Sequence, residues 1–214
     1  MKRNFYKLLA IVLVIAWAAV AYARTTGAPA SKTNAPALGS APAEGLCSDC
    51  HDGPIDDGSG AIAVLGVPPL FRAGATYRFT VRLATTHTFG SSTVWGFQLT
   101  SVDKGTGSGS GTFALVNATE TKIVSGTGSF STRRYVDQTS SGIRTGAASP
   151  VEWQVDWTAP ASAPAGVGLY AVGLSSDGSG TGNSWVYTGS AASVDTVTAA
   201  LSRTWGSVKR QYSK

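Results

Sequence analysis

Histidine, methionine and cysteine are all scarce in this chain, which has two histidines, one methionine and two cysteines in 214 residues. So few histidines leave little room for a Ser/His/Asp catalytic set, and no phosphate-binding glycine motif follows a predicted strand. No run of basic residues suggests a nucleic-acid surface. The 26 glycines and the many β-branched residues also disfavour long helices. These shortages predict a protein that is not an enzyme, does not bind nucleic acid and is not built from helices.

The N-terminus is typical of a cleaved signal peptide. Three basic residues, Lys2, Arg3 and Lys7, precede an apolar run over 8–20. Ala21-Tyr22-Ala23 then fits the small-residue cleavage pattern. The run is short for a membrane span, which needs about 20 residues, but an uncleaved anchor stays open as an alternative. Cleavage would leave a mature chain that begins at Arg24, in the periplasm, outside the cell or at the cell surface. With three of the 17 basic residues lost in the signal, it would carry 14 basic against 12 acidic residues.

Five consecutive residues, Cys47-Ser48-Asp49-Cys50-His51, match the C-x-x-C-H pattern of haem attachment. Two thiols three positions apart can each add to one vinyl group of the haem, and the next histidine then supplies the proximal nitrogen ligand of the iron. No other cysteine competes for either thiol. The motif therefore predicts one covalent haem c held by Cys47, Cys50 and His51, and the predicted export agrees with it because covalent haem attachment takes place outside the cytoplasm.

Three other readings of the two cysteines stay open. An exported chain could join Cys47 and Cys50 in a disulfide. A redox-active C-x-x-C pair normally opens a helix after a strand in a βαβ setting, and the sequence shows no such pattern. A zinc ion would need four ligands, so the motif would have to recruit the distant His87.

The sequence from residue 61 onward predicts short strands. Apolar residues alternate with polar ones in the segments centred on Phe79, Phe97 and Val155, while 167–174 is apolar on both faces, as in a central strand. Shorter candidates are 61–65, 112–116, 122–125, 185–188 and 194–201. Eight or nine short strands separated by Gly/Ser/Thr/Asp clusters predict an all-β, immunoglobulin-like antiparallel β-sandwich with an N-terminal haem-binding segment. We expect Tyr77, Phe79, Trp95, Phe97, Trp153 and Trp157 to be mostly buried.

These signals divide the chain into five parts. After the signal peptide at 1–23, a flexible segment rich in Ala, Pro and Ser at 24–45 cannot fold alone and should be a tether or an arm across the domain. The haem segment follows at 46–60, then the sandwich at 61–201 and a tail at 202–214. The tail contains the one helix candidate, 205–212.

Five acidic residues lie near the motif with no Lys or Arg among them: Glu44, Asp49, Asp52, Asp56 and Asp57. One interpretation is ordinary solvated turn chemistry, since Asp is a common turn residue. The other is an acidic rim that steers a basic redox partner protein. The second would require the five side chains to be exposed.

With these motifs in place, the chain resembles bacterial exported proteins with a Reeler-like (choice-of-anchor V) domain. The resemblance rests on Thr26-Gly27-Ala28-Pro29, the haem motif, the strand around Tyr77, Trp95-Gly96-Phe97-Gln98-Leu99, Val151-Glu152-Trp153-Gln154-Val155-Asp156-Trp157-Thr158-Ala159-Pro160 and Gly166-Val167-Gly168-Leu169-Tyr170-Ala171. It runs from about Thr26 to about Thr188. The resemblance implies an immunoglobulin-like sandwich and an extracytoplasmic location, and leaves the biochemical role open.

The sixth ligand of the iron has few candidates. Met1 would leave with the signal, which excludes a His/Met pair. The resemblance implies a histidine before the Trp-rich strand, where this chain has Gln138. The remaining histidine, His87, lies in a loop that could fold over the haem, so it is the predicted distal ligand. Gln138, Lys32, the amino group of Arg24 and an open site are the alternatives.

Together these observations predict an exported monohaem c-type cytochrome that transfers electrons to and from redox partner proteins. A bis-histidine iron would be saturated and suited to a carrier, whereas an open iron would suit a haem enzyme or sensor. A non-redox surface or adhesion module with a Cys47–Cys50 disulfide is the remaining alternative.

Overall fold

The computed structural model describes residues 26–163, 165–179 and 183–195. Within these ranges the regular structure consists of ten strands and four short 3₁₀ turns, and the turn at Cys47–Asp49 belongs to the haem motif. The strands are β1 Gly60–Leu65, β2 Leu70–Phe71, β3 Thr76–Thr85, β4 Val94–Asp103, β5 Thr112–Leu115, β6 Thr121–Ser125, β7 Arg134–Gln138, β8 Val151–Thr158, β9 Val167–Ser176 and β10 Ser184–Asp195.

The strands form two sheets that pack face to face as a sandwich. The smaller sheet has the order β1-β3-β8-β5, and the larger has the order β2-β10-β9-β4-β7-β6. Every pairing is antiparallel except that of β2 with β10, which is parallel. The predicted all-β sandwich is therefore confirmed, with one short parallel edge strand as an addition.

Alternating apolar side chains from both sheets fill the space between them. In β3 the residues Phe79, Val81 and Leu83 are buried while their neighbours are exposed or half-buried. From the larger sheet, Phe97 reaches across to Trp153 of β8, with ring centroids 4.6 Å apart. Burial of such large side chains is the main favourable contribution to folding.

The larger sheet differs from the smaller one in being covered on its outer face as well. Strands β4 and β9 are buried along almost their whole length, which agrees with the central position predicted for 167–174. The cover is the segment that precedes the haem motif. The Gln98 side chain of β4 accepts a hydrogen bond from the Lys32 backbone N–H (2.6 Å) and donates one to the Pro29 carbonyl (3.0 Å). We call residues 27–45 the arm.

The segment after the motif is fixed to the same sheet. Residues 52–56, which we call the strap, lie along β10, where Ile55 forms a parallel bridge with Val186. The Val186 N–H donates to the Pro54 carbonyl, and the Asp56 N–H donates to the Val186 carbonyl. The arm and the motif therefore lie against the larger sheet, and the strap continues from them along the edge of β10.

Some sequence predictions differ from the structure in detail. Strand β7 was not predicted, because its apolar positions are masked by Arg134 and Asp137, and β2 was too short to recognise. The two predicted strands 185–188 and 194–201 belong, as far as the structure describes them, to the single strand β10. Tyr77 is half-buried rather than buried, and its hydroxyl accepts a hydrogen bond from the Arg72 N–H. The signal peptide, the end of the predicted domain after Asp195, the tail and its helix lie outside the described residues.

Replacement of a core leucine should show how strongly the two sheets depend on each other. Leu83 of β3 is fully buried and packs against Gly173 of the opposite sheet. We expect Leu83→Ala to lower the free energy of unfolding by about 2–5 kcal/mol in urea denaturation, because it leaves a cavity between the sheets. Leu65→Ala is the control, since Leu65 is 42% exposed and its loss should change stability by less than about 0.5 kcal/mol. Equal losses in the two variants would contradict this view of the core.

Candidate functional site

The haem motif forms a single helical turn. The backbone N–H groups of Cys50 and His51 both donate to the Cys47 carbonyl, at 3.1 and 3.0 Å. The turn itself covers Cys47–Asp49, with Cys50 at its C-terminal cap and His51 directly after it, so the Cys47 carbonyl holds the three residues within one turn of backbone. Cys50 is exposed, while Cys47 and His51 are half-buried.

The remaining face of the turn is bonded to the arm. The Asp49 carboxylate accepts hydrogen bonds from the Leu46 N–H (3.3 Å) and from the Lys32 ammonium. The hydrogen bond from Lys32 is the main cause that lowers the pKa of Asp49, and the Leu46 N–H acts in the same direction. Lys32, one alternative for the sixth ligand, is therefore engaged in an ion pair with the motif itself.

A buried ion pair fixes the arm three residues before the first cysteine. The Glu44 carboxylate accepts hydrogen bonds from Arg133 Nη1 (2.5 Å) and Tyr135 Oη (2.6 Å) through one oxygen and from Thr33 Oγ1 (2.6 Å) through the other. Arg133 Nε also donates to the Gly107 carbonyl at 2.9 Å. Both charged side chains are fully buried. We call Thr33, Glu44, Arg133 and Tyr135 the clasp.

A second buried carboxylate lies under the arm. Asp137 of β7 is fully buried, and its Oδ1 accepts a hydrogen bond from Gln98 Nε2 at 2.9 Å. Its Oδ2 has no hydrogen-bond partner. Burial raises the pKa of Asp137 to about 7, against the smaller lowering effects of Gln98 and Lys122. Gly27 lies against the base of the Asp137 side chain, because an added Cβ there would lie 2.9 Å from Asp137 Cβ.

The two thiols are free and unequal. Burial, followed by the negative charge of Asp137, raises the pKa of Cys47 to about 12. Thiols in redox-active C-x-x-C pairs have the opposite property, a lowered pKa that makes the thiolate available. Burial also lowers the pKa of His51, against the effect of Asp52, which favours the neutral imidazole that a metal requires.

His87 lies at the end of the sandwich, in the loop between β3 and β4. Its Nε2 is 3.0 Å from Asp57 Oδ2, and its ring stacks on Trp185 with the centroids 4.1 Å apart. None of these hydrogen-bond, ion-pair or ring contacts of His87 involves Cys47, Cys50 or His51. However, Asp57 follows His51 by six residues, a span of at most about 20 Å, so the two histidines belong to neighbouring segments.

The remaining sequence candidates have internal partners. Gln138 Oε1 accepts a hydrogen bond from the Phe97 N–H at 2.8 Å. In the acidic set, Glu44 belongs to the clasp and Asp49 to the turn. Asp56 accepts hydrogen bonds from Thr188, and Asp57 from Ser59 as well as contacting His87. Most of the five acidic side chains thus bond within the molecule, yet the four aspartates are exposed and only Glu44 is buried, so the acidic rim stays a prediction. Among the described residues, no group of three or more His, Cys, Asp or Glu side chains is arranged to hold a metal ion.

Two features of this site were missed by the sequence analysis. The clasp has one sequence signal, the single acid in a polar arm, but nothing there identifies Arg133 as its partner 89 residues later. Asp137 has no signal at all, because a charged residue in a short segment normally indicates an exposed loop. Both depend on the arm lying over the sheet.

Comparison with known proteins gives weak likenesses of overall shape. The human F-spondin reeler domain (fragment 1) has a TM-score of 0.42 and 20% identity, over 67% of this chain and 94% of that chain. The Reelin-N domain of F-spondin has the same score and identity, over 67% and 92%. The sixth cohesin of Acetivibrio cellulolyticus scaffoldin B has a TM-score of 0.37 and 9% identity, over 59% and 97%.

Reeler domains, which the sequence resemblance predicted, are thus among the similar structures. Scores and identities this low carry no argument about function, and the sandwich rests on the strand pairing described above. No family model and no curated protein matches the chain. Across the described residues, none of the helical segments has the length and apolar character that a membrane crossing needs.

Loss of the clasp should release the arm. We expect Glu44→Gln to lower the free energy of unfolding by about 3–5 kcal/mol, because it leaves the buried Arg133 without a counter-charge. Trypsin cleavage after Lys32 should accelerate in parallel, as followed by mass spectrometry.

Glu152→Gln is the matched control. Glu152 pairs with Arg82 at 3.6 Å, and both side chains are about half-exposed. Such a pair should contribute less than about 1 kcal/mol and should leave the cleavage rate unchanged. A Glu44→Gln protein with unchanged stability and cleavage would show that the clasp does not hold the arm.

Proposed function

We propose that this protein is an exported monohaem c-type cytochrome in which the β-sandwich is the scaffold for a covalently attached haem. The observation that carries the proposal is the tight turn in which the backbone N–H groups of Cys50 and His51 both bond to the Cys47 carbonyl, which keeps the two thiols and the imidazole within one turn of chain. This donor set fits the group, since it provides two thiols for the two vinyl positions and a neutral imidazole for the iron. The haem would supply a one-electron couple at its iron.

The other readings of the motif fit less well. A thiol–disulfide oxidoreductase needs a reactive thiolate, whereas the raised pKa of Cys47 favours the protonated thiol. Zinc would need four ligands, and among the described residues no group of three or more His, Cys, Asp or Glu side chains is arranged to hold a metal ion. A disulfide stays chemically available to an exported chain, and a non-redox surface module is the function that it would accompany. The experiment below separates these alternatives.

In this proposal the motif, the clasp and the strap have separate roles. Cys47 and Cys50 hold the group through thioether bonds, and His51 binds the iron from the proximal side. The clasp and the strap fix the backbone on the two sides of the turn, so the imidazole keeps its direction relative to the sheet. The chain acts as a carrier rather than an enzyme, and it exchanges electrons with redox partner proteins in the periplasm or at the cell surface.

Haem attachment is the first test. When the chain is produced in a host with a cytochrome c maturation system, the mature protein should have the mass of the polypeptide from Arg24 plus one haem. It should also give a pyridine haemochrome spectrum of the c type. A Cys47→Ala/Cys50→Ala variant should lack both signals. Ser48→Ala, which changes the motif but not its pattern, should keep them.

The opposite result is equally specific. A mass two hydrogens below that of the reduced polypeptide, with no visible absorbance, would overturn the cytochrome proposal in favour of a disulfide-bonded module.

We propose His87 as the sixth ligand of the iron. The pair with Asp57 is partly exposed, and such pairs contribute only about 0–1 kcal/mol, so the imidazole can exchange it for a metal bond at small cost. A carrier with bis-histidine iron would have a low reduction potential.

Carbon monoxide binding tests this ligand. We expect the reduced wild-type protein to bind carbon monoxide poorly, and His87→Ala to bind it readily with the haem still attached. Asp57→Asn is the matched control, because it removes the competing partner of His87 and should leave the iron closed. If the wild type and both variants shift their Soret bands alike, the site is open and His87 does not bind the iron.

A further inference from the structure

Ile55 is an apolar side chain that is held in the open beside the haem motif. Six large apolar side chains are exposed in the part of the chain that the structure describes, and Ile55, at 43%, is the most exposed of them. It is also the one that lies near the motif in the sequence, four residues after His51, a span of at most about 14 Å. Single exposed apolar residues are common on protein surfaces. Ile55 differs from such residues in the way its backbone is held and in what lies beside it.

The strap holds the backbone of Ile55 in a fixed position. Val186 of β10 bonds to the residues on either side of it: the Val186 N–H donates to the Pro54 carbonyl (3.1 Å), and the Asp56 N–H donates to the Val186 carbonyl (3.0 Å). The Asp56 carboxylate in turn accepts hydrogen bonds from the N–H and the hydroxyl of Thr188. The strap is therefore bonded like an edge strand of the larger sheet, and the sheet sets the direction of the Ile55 side chain.

That direction is the outer face of the larger sheet. Gly173 of β9 faces the smaller sheet, because an added Cβ there would lie 2.9 Å from Leu83. The next residue, Leu174, therefore points to the outer face, and so does Val186, its cross-strand partner on β10. Ile55 is paired with Val186 in the parallel bridge, so it shares this face.

The outer face next to Ile55 is covered. Val186 is fully buried, yet it is not among the apolar residues that pack between the two sheets. The turn Cys47–Asp49 packs on the adjacent strand β9. The chain reaches this place from Glu44, bonded to β7, and leaves it at Asp52, bonded to β10. The row of outward side chains thus passes from a covered position at Val186 to an exposed one at Ile55, at the border of the motif.

We propose that Ile55 is a haem-contact residue, whose side chain packs against the porphyrin when the haem is attached to Cys47 and Cys50. The inference rests on the proposed function and adds to it a residue outside the C-x-x-C-H pattern. A porphyrin is a large apolar ring, and its contact with an aliphatic side chain removes apolar surface from water. The contact also limits the access of water to part of the haem, which is one of the factors that set its reduction potential.

The first test compares two isoleucines of similar exposure in the wild-type protein. Ile123 of β6 is 40% exposed and lies at the opposite edge of the larger sheet. Methyl spectra of protein labelled at the isoleucine δ1 carbons are recorded without haem and with haem, the latter reduced under carbon monoxide so that the iron is diamagnetic. We expect the ring current of the porphyrin to shift the Ile55 methyl and to leave that of Ile123 in place. Ile55→Val assigns the resonance, because it removes only the δ1 methyl.

The second test measures the same contact through stability. Ile55→Ser and Ile123→Ser are unfolded in urea, with and without haem, and followed by far-ultraviolet circular dichroism. Without haem, Ile55→Ser should change the unfolding equilibrium constant by about twofold at most, as for a surface residue. With haem it should raise that constant roughly fivefold, because an apolar contact is then lost. Ile123→Ser should have the same effect in both forms.

The proposed function and this contact fail in different ways. A chain that receives no haem from a cytochrome c maturation system would overturn both. A haem-loaded protein whose Ile55 methyl does not shift, or in which Ile55→Ser has the same effect with and without haem, would overturn the contact alone.

Discussion

The buried ion pair between Glu44 and Arg133 is the constraint on which the rest of the site depends. Two opposite charges are removed from water at the point where a polar arm crosses a sheet. Tyr135 and Thr33 donate to the Glu44 carboxylate and the Gly107 carbonyl accepts from Arg133 Nε, while Arg133 Nη2 is left without a partner. Such a pair adds little net stability compared with apolar packing, but removal of either partner leaves an uncompensated buried charge. It therefore fixes where the arm lies, and with it the position of Cys47 three residues later.

The sandwich could be predicted from the sequence because its inner faces obey a simple alternation. In β3 and β8, apolar and polar residues alternate between the core and the solvent, and the predicted strands match the observed ones. Strand β7 was missed for the opposite reason. Its outward residues Tyr135 and Asp137 are buried by the arm. The outer face of β7 therefore mixes an aromatic and a charged residue, and the strand shows no regular alternation of apolar and polar residues. The alternation of apolar and polar residues indicates which side chains face the core. It does not show that a segment distant in the sequence also buries the outer face of a strand.

The candidate site was predictable only in part for a related reason. The motif is a local pattern, and its spacing alone predicts two thiols for the vinyl groups of a haem and a proximal imidazole for its iron. The contacts that hold the chain around the motif, such as the pair of Glu44 with Arg133, join polar residues far apart in the sequence. The sequence does not predict them, because each polar residue has many possible partners. The acidic set illustrates this, because its five members look alike in the sequence, yet Glu44 is buried in an ion pair while the four aspartates are exposed. Whether a carboxylate faces solvent or a neighbour is decided by tertiary packing, which a count of charges does not contain.

The attachment of the chain on both sides of the motif also has an entropic consequence. Residues 45–51, which carry both thiols and the imidazole, lie between two fixed points, the Glu44 pair on one side and the Ser184 bond to the Asp52 carbonyl on the other. A short loop closed at both ends samples far fewer conformations than a free chain of the same length. Most of the ordering that a bound group would otherwise impose on these residues has therefore already taken place during folding.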